Sequence, residues 1–395
     1  MLTDRFDQPV STTSQPALDG YVEALDHLFS MHNAARQSID LALAADPEFA
    51  LAHCVNSRVL LFEGDTPAAI AAAERAVELA QGTTPREEEH AAIVAMVAKG
   101  ENAHALPRVR AHAAAHPRDA LPLSFALGVY SLLGFGGFTD HHEQQVALLE
   151  SVGDHWGDDW WYLSWLGWSY VETGRWQQGI PMLDRALELK PDNANAAHGR
   201  AHGYYEMGAA DEALEFIARW LPGYDRSEPL HCHIAWHQAL TYLQLGRADE
   251  ALVVYDSYIR PSESAALPMF TMVDCAAFAW RARLYGCELN DERLREIGEF
   301  AEANFPKPTL PFVNVHGMLA RALAAPDSAQ RFAAAVADAA AADGSAKALS
   351  AALCAGVECY DAGDYWLAAR HLRDTLPELA ALGGSHAQRD IIIDT

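Results

Sequence analysis

The sequence predicts an all-α protein, a right-handed superhelical solenoid of about nine or ten helix pairs. Half of the 395 residues are apolar, so the chain can bury a large core. Alanine is abundant, and segments of alternating polar and apolar residues, which would favour strands, are almost absent. A phrase of glycine, two residues and Asp-Glu-Ala-Leu begins at Gly208 and returns at Gly246. Short repeats of this kind bury a continuous core by stacking on their neighbours.

The clearest repeat lies between about residues 160 and 193. Small residues at Gly167 and Gly179 let its two helices approach, Gly174 makes the turn, and Pro191 ends the second helix because proline lacks an N–H. This pattern matches the tetratricopeptide repeat closely. Weaker copies or further helix pairs are expected around the positions Gly64, Gly100, Gly134, Gly286, His316 and Gly363. We expect residues 1–395 to form a single solenoid, with residues 380–395 as a C-terminal closing segment.

Charge, hydropathy and cysteine usage indicate which partners and which compartment to expect. The formal net charge of −26 repels phosphate backbones, so we expect no nucleic-acid partner. No stretch approaches the roughly 18 apolar residues that span a bilayer, so we expect no membrane partner. The six cysteines form no Cys-x-x-Cys pair, and the N-terminus lacks an apolar signal core. These features predict reduced thiols and a cytoplasmic protein.

Histidines gather in the middle of the chain, on helices that should line the concave groove. His198 and His202 are four residues apart, as are His233 and His237, so each pair shares one helix face. Asp274 begins the corresponding helix of the following pair. These five residues are the candidate catalytic residues of a pocket in the groove.

Two kinds of chemistry suit this set. A histidine beside a carboxylate can act as a general base, which favours hydrolysis or proton transfer. Histidines four apart on a helix can also chelate a divalent metal, so a divalent metal at the cluster of four histidines is one candidate for a cofactor that the sequence does not identify. The alternative is a satisfied polar core. Other histidines show no convergent pattern and are interpreted as structural: His104, His112, His116, His141 and His142.

Further residues are candidates for ligand contacts. By repeat register Trp161 and Trp168 should face the groove and could stack on a ligand, although such tryptophans are more often core. The remaining groove candidates are Tyr205, Trp236, Asp256 and His316.

Beyond the generic repeat, the chain resembles the tetratricopeptide repeat protein 38 family over nearly its whole length. The motifs that carry the resemblance are Ser11–Ser14, the His198–Met207 helix, Cys232–His237, Tyr255-Asp256, Val273-Asp274, Trp280-Arg281, Phe312 with His316, and Leu382–Asp390. Tyr205, Ala277 and Asn314 depart from the family pattern. The family carries no established activity, so the resemblance implies a site more than a reaction.

The last of these motifs suggests two interpretations of the closing segment. Arg389 could recognise a ligand carboxylate through both of its amino groups, and a helix N-terminus near Ser385 could bind an anion. Alternatively, Arg389 and Asp390 simply cap the end of the solenoid.

Two functions therefore stay open. The first is a small-molecule site in the groove, lined by His, Asp and Trp, where the sequence does not decide whether the protein is an enzyme. The second is a protein-interaction scaffold that binds a peptide in the groove, the usual role of this fold. We also expect a homodimer, because the ends of a solenoid must be capped.

Overall fold

A computed structural model describes residues 2–343 and 345–395 and is all-helical. Within these residues the β structure amounts to one isolated bridge between Thr3 and Pro9. The prediction of an α solenoid of tandem repeat-like helix pairs is therefore confirmed. The backbone divides into two compact units, Met1–Gly136 with His142–Gly199, and Gly137–His141 with Arg200–Thr395. That residues 1–395 form a single domain stays a prediction.

The first unit holds ten helices among its described residues. The first residue of α8, His141, is assigned to the second unit. They are α1 (Gln15–Phe29), α2 (Ala35–Ala45), α3 (Ala50–Phe62), α4 (Thr66–Ala80), α5 (Pro85–Ala98), α6 (Asn102–Ala115), α7 (Ala120–Ser124), α8 (His141–Val152), α9 (Trp160–Glu172) and α10 (Trp176–Leu189). Sequential neighbours pack together, as α1 does on α2, α3 on α4 and α9 on α10. The pair expected to turn at Gly134 is irregular, since α7 has only five residues.

The second unit begins inside helix α11, a single continuous helix that contains the boundary. The helices are α11 (Ala194–Met207), α12 (Ala210–Trp220), α13 (His231–Gln244), α14 (Ala248–Val254), α15 (Pro268–Leu284), α16 (Asp291–Asn304), α17 (Pro311–Ala324), α18 (Pro326–Asp343), α19 (Ser345–Asp361), α20 (Tyr365–Thr375) and α21 (His386–Asp394). A π turn at Tyr255–Ile259 continues α14. Helices α13 and α15 are buried on nearly all sides, as expected for central helices.

Local chemistry explains where the helices begin and why they pair. Ser14 and Asp159 cap α1 and α9, since their side chains accept hydrogen bonds from backbone N–H groups of the first turn. The predicted turn residue Gly174 has a φ of +74°, a conformation that favours glycine. A Cβ added at Gly167 would lie 2.9 Å from the carbonyl oxygen of Gly179, so the close approach predicted for this pair of helices is confirmed.

Candidate functional site

Helix α11 carries the first pair of histidines of the candidate site. His198 and His202 lie one turn apart on this continuous helix, so they share a face. The side chain of His202 is fully buried, whereas that of His198 is half-buried. The structure thus places both residues as the spacing predicts.

Helix α13 carries the second pair. His237 is buried and His233 is half-buried, again one turn apart. The ring centroids of His233 and His237 are 5.1 Å apart, and those of His202 and His237 are 4.5 Å apart. The two helices therefore bring their imidazoles into contact.

The four imidazoles form a compact group, here called the histidine cluster (His198, His202, His233 and His237). One ring nitrogen from each residue can be chosen so that all four nitrogens lie within 4.8 Å of one another. Among the described residues this is the one group of histidine, cysteine and acidic side chains with metal-ligand geometry. The spacing of four residues on each helix, together with the register between repeats, predicted this convergence.

Asp274 on α15 contacts one histidine of the cluster, His233. His233 Nδ1 lies 2.9 and 3.0 Å from the two carboxylate oxygens of Asp274, which is itself buried. Because a carboxylate accepts, Nδ1–H of His233 donates, and the lone pair of the neutral ring is on Nε2. The thiol of Cys232 also donates to Asp274, at 3.9 Å. The predicted carboxylate is therefore in place beside a histidine of the cluster.

Trp236 supports the same histidine. Its ring stacks on the imidazole of His233, with centroids 5.1 Å apart and an interplanar angle of 12°. The Arg281 guanidinium carbon lies 5.8 Å from the centre of the Trp236 ring. Because Trp236 is fully buried, it has no exposed face for a ligand. Its role is to pack against the cluster.

The closing segment packs beside the C-terminal turn of α11. Tyr205 donates a hydrogen bond to Asp390 at 2.7 Å, and His386 lies 3.4 Å from a carboxylate oxygen of Glu206. Burial raises the pKa of Asp390, against the hydrogen bond from Tyr205. Tyr205, expected to touch a ligand, is thus part of the contact between α11 and α21.

Ser385 and Arg389 have local partners within the closing segment. The Ser385 hydroxyl and the Gln388 side chain form a capping box that occupies the N-terminus of α21. Arg389 is buried and donates to the carbonyl oxygens of Gly383 and Gly384. Since the guanidinium holds its own loop, neither residue is included in the proposed site.

The two candidate tryptophans lie in the core of the first unit. Trp161 is fully buried and packs on Phe6, Phe29 and Trp156. Trp168 is buried and contacts His142 and Trp165, also within the first unit. These are the environments of core tryptophans, so we leave both outside the proposed site.

Asp256 and His316 belong to the second unit but have local partners. Asp256 forms a two-pronged ion pair with Arg293 at 2.9 and 2.5 Å, and the hydrogen bonds from Arg293 lower its pKa. His316 Nδ1 is 2.9 Å from the carbonyl oxygen of Phe312, one turn earlier on α17. These contacts do not connect either residue to the histidine cluster.

Arg281 makes contacts with the C-terminal residues that the sequence analysis did not predict. It is buried on α15, donates to the carbonyl oxygen of Ala387 at 2.5 Å and lies 3.4 Å from Asp394. It therefore connects α15 to the closing segment. The available signal was its spacing of seven residues from Asp274, which puts both side chains near one face of the helix.

A wide depression lies in the first unit. It has a volume of about 1160 Å³ and is lined by the N-terminal segment, α1 and α2. Arg5, which lines the depression, forms ion pairs with Asp26 at 2.7 Å and with Asp159 at 3.0 Å. These charges are already matched, so the depression is a weaker candidate than the histidine cluster.

Comparison with known proteins agrees with the helix-pair architecture. Residues 170–231 match the tetratricopeptide repeat family, a segment that contains α10, α11 and α12. Over these residues the helix pairs are therefore of the tetratricopeptide-repeat type. None of the described helices is long and apolar enough to cross a membrane.

Two solved structures are similar to the chain. One is a tetratricopeptide repeat protein from Parabacteroides merdae ATCC 43184, with 14% identity over 78% of this chain and 99% of that chain and a TM-score of 0.35. The other is Naa15/Naa10 bound to HypK-THB, with 11% identity over 91% of this chain and 57% of that chain and a TM-score of 0.29.

Proposed function

We propose that this repeat protein binds a small molecule at the histidine cluster, and that His233 serves there as a general base in hydrolysis or proton transfer. The observation that carries the proposal is the hydrogen bond between His233 and the buried Asp274, formed beside the rings of His202 and His237. A repeat needs small and apolar residues at its packing positions, and it does not require ionisable groups in this arrangement.

The geometry supplies the parts that a general base requires. Asp274 holds His233 in the tautomer whose Nε2 accepts a proton, and it would stabilise the imidazolium that results. Trp236 fixes the plane of the ring by stacking on it. A water or substrate hydroxyl that donates to Nε2 would lose its proton there, while the neighbouring imidazoles offer further hydrogen bonds to the ligand.

A stability screen coupled to a hydrolysis screen tests this proposal. The full chain, Asp274→Asn, His237→Gln and the control His104→Ala would be tested with a panel of small carboxylates, amides, esters and phosphomonoesters. His104 is exposed on α6, far in sequence from the cluster. We expect some compounds to raise the unfolding temperature of the wild type and of the control His104→Ala. The same compounds should not raise that of Asp274→Asn or His237→Gln. Any hydrolysis should fall by roughly 10²- to 10⁴-fold in Asp274→Asn. Equal stabilisation of all four proteins would contradict the site.

A protein-interaction scaffold is the second candidate. The repeat-family match and the net charge of −26 favour it, because an acidic repeat surface attracts basic segments. A basic peptide captured by the wild type and by His237→Gln alike, with an affinity that falls steeply with salt, would favour the scaffold over the small-molecule site.

The finer assignments belong to the same proposal. Membership in the tetratricopeptide repeat protein 38 family is supported by the contacts that its motif residues make: Ser14 caps α1, His233 meets Asp274, and the Ser385 segment packs beside Tyr205. A cytoplasmic location is supported by the six cysteines, which are free thiols. The closing role of residues 380–395 and a homodimer remain predictions, and light scattering would test the dimer.

A further inference from the structure

We propose that the histidine cluster binds one divalent transition-metal ion, of the class of Zn²⁺, Co²⁺ or Ni²⁺. The inference concerns the same residues as the proposed function, but metal ligation and the general-base role are alternative uses of the Nε2 lone pair of His233. It does not depend on a reaction or on an organic ligand.

Geometry is the first support. Zinc bonds to imidazole nitrogen at about 2.0–2.1 Å, which places the nitrogens of a tetrahedral site roughly 3.4 Å apart. The four nitrogens of the cluster already lie within 4.8 Å of one another. The remaining difference is within the reach of side-chain rotation about χ1 and χ2 on fixed helices. Each helix supplies two ligands one turn apart, which is a spacing that lets two imidazoles reach one ion.

The ligand set decides which ion is favoured. Four imidazoles suit zinc, nickel, cobalt and copper, whereas magnesium and calcium prefer oxygen ligands. No acidic side chain belongs to the group of four. We therefore expect the site to reject Mg²⁺ and Ca²⁺, in spite of the strongly acidic character of the chain.

Asp274 supplies the second support. Metal-bound histidines usually donate their other N–H to a carboxylate, which fixes the tautomer and makes the ring a better ligand. His233 and Asp274 show this arrangement, because the carboxylate lies against Nδ1 and Nε2 is the ring nitrogen that would bind the ion. Asp274 would act as a positioning residue and as a partial balance for the charge of the ion.

Burial is the third support. His202 and His237 are 0% and 3% exposed, while His198 and His233 are half-buried. Two buried ligands exclude bulk water from one side of an ion. The two half-buried ligands leave the other side open, where water or the proposed small molecule could complete the coordination.

Metal titration of the full chain tests the inference. The protein would be made without a polyhistidine tag, stripped with a chelator, and titrated with Zn²⁺, Co²⁺ and Mg²⁺ alone. We expect about one Zn²⁺ or Co²⁺ per chain and no bound Mg²⁺. Loss of two ligands in the double variant His202→Ala, His237→Ala should abolish binding. Asp274→Asn should weaken it by about 10- to 100-fold.

Controls keep the test decisive. His104→Ala should bind metal as the wild type does, and circular dichroism should confirm that each variant is folded. If the double variant is unfolded, the single variants His198→Ala and His233→Ala, whose side chains are half-buried, give the same comparison. Retention of the metal in these variants, or no binding by the wild type, would overturn the inference. A ligand from the stability screen that binds without metal would then leave the proposed function standing.

Discussion

Asp119 shows how buried charge is held at the scale of a single residue. Its carboxylate accepts from Arg86 at 2.9 Å, from His90 Nδ1 at 3.0 Å and from His112 Nε2 at 2.9 Å. Burial alone would raise the pKa of Asp119, but the two histidines and Arg86 hold it well below its usual range. His112 is thus structural, as the sequence analysis interpreted it. The network differs from the histidine cluster because its carboxylate already meets three donors.

His316 is a histidine whose burial has a measurable consequence for stability. It is 1% exposed, and burial lowers its pKa from 6.5 to about 4, with Arg281 adding to the effect. The folded chain therefore keeps this ring neutral where the unfolded chain protonates it. The contribution of His316 to the free energy of unfolding is complete above about pH 6.5 and is lost as the pH falls towards 4.

We predict that replacing His316 by Gln flattens the acid side of the stability profile. The wild type should lose up to about 3 kcal/mol from this one group between pH 6.5 and 4, a loss that a non-titrating side chain avoids. Urea unfolding in the presence of a chelator, measured across this range, would check it. The control His104→Gln should keep the wild-type slope, and an unchanged slope in His316→Gln would show that His316 does not carry the effect.

At the scale of elements, the approach of α9 to α10 is the clearest case of sequence dictating packing. Gly167 and Gly179 face each other, and Leu183 lies 2.9 Å from where a Gly167 Cβ would stand. Both glycines are helical, where alanine would otherwise be preferred by about 1 kcal/mol. Their presence is explained by the lack of space between the two helices.

We predict that Gly179→Ala destabilises the chain by about 2 kcal/mol, because overpacking outweighs the gain in helix propensity. The new methyl group would collide with the carbonyl oxygen of Gly167. Chemical denaturation measures the change. Gly223→Ala is the matched control, since no atom lies within 4 Å of its added Cβ, and it should stay within about 0.5 kcal/mol of the wild type. A Gly179→Ala protein as stable as this control would contradict the packing argument.

Contacts between elements also show which features the sequence could not predict. The spacing of four residues put His233 and His237 on one face of α13, and repeat register brought this face to α11. The same register argument placed Trp161 in a groove. In the structure the N-terminal segment, through Phe6, covers that tryptophan. Such a contact joins residues more than 150 positions apart, and repeat periodicity holds no information about it.

At the scale of the whole molecule, the sequence predicted the fold class well, since glycine turns and small packing residues recur along the chain. Arg389 shows what was missed. Its guanidinium donates to the carbonyl oxygens of its own Gly383-Gly384 loop, a local backbone geometry that a motif does not specify. Recognition of a motif thus located the closing segment but left the role of its arginine open.

The central claim is that α11 and α13 bring four imidazoles together as one binding site. X-ray absorption at the zinc edge of the loaded, tag-free chain tests it most directly. The account predicts a first shell of nitrogen at about 2.0–2.1 Å, with the outer-shell scattering of several imidazole rings. A first shell of sulfur at about 2.3 Å, or of oxygen without imidazole scattering, would contradict it.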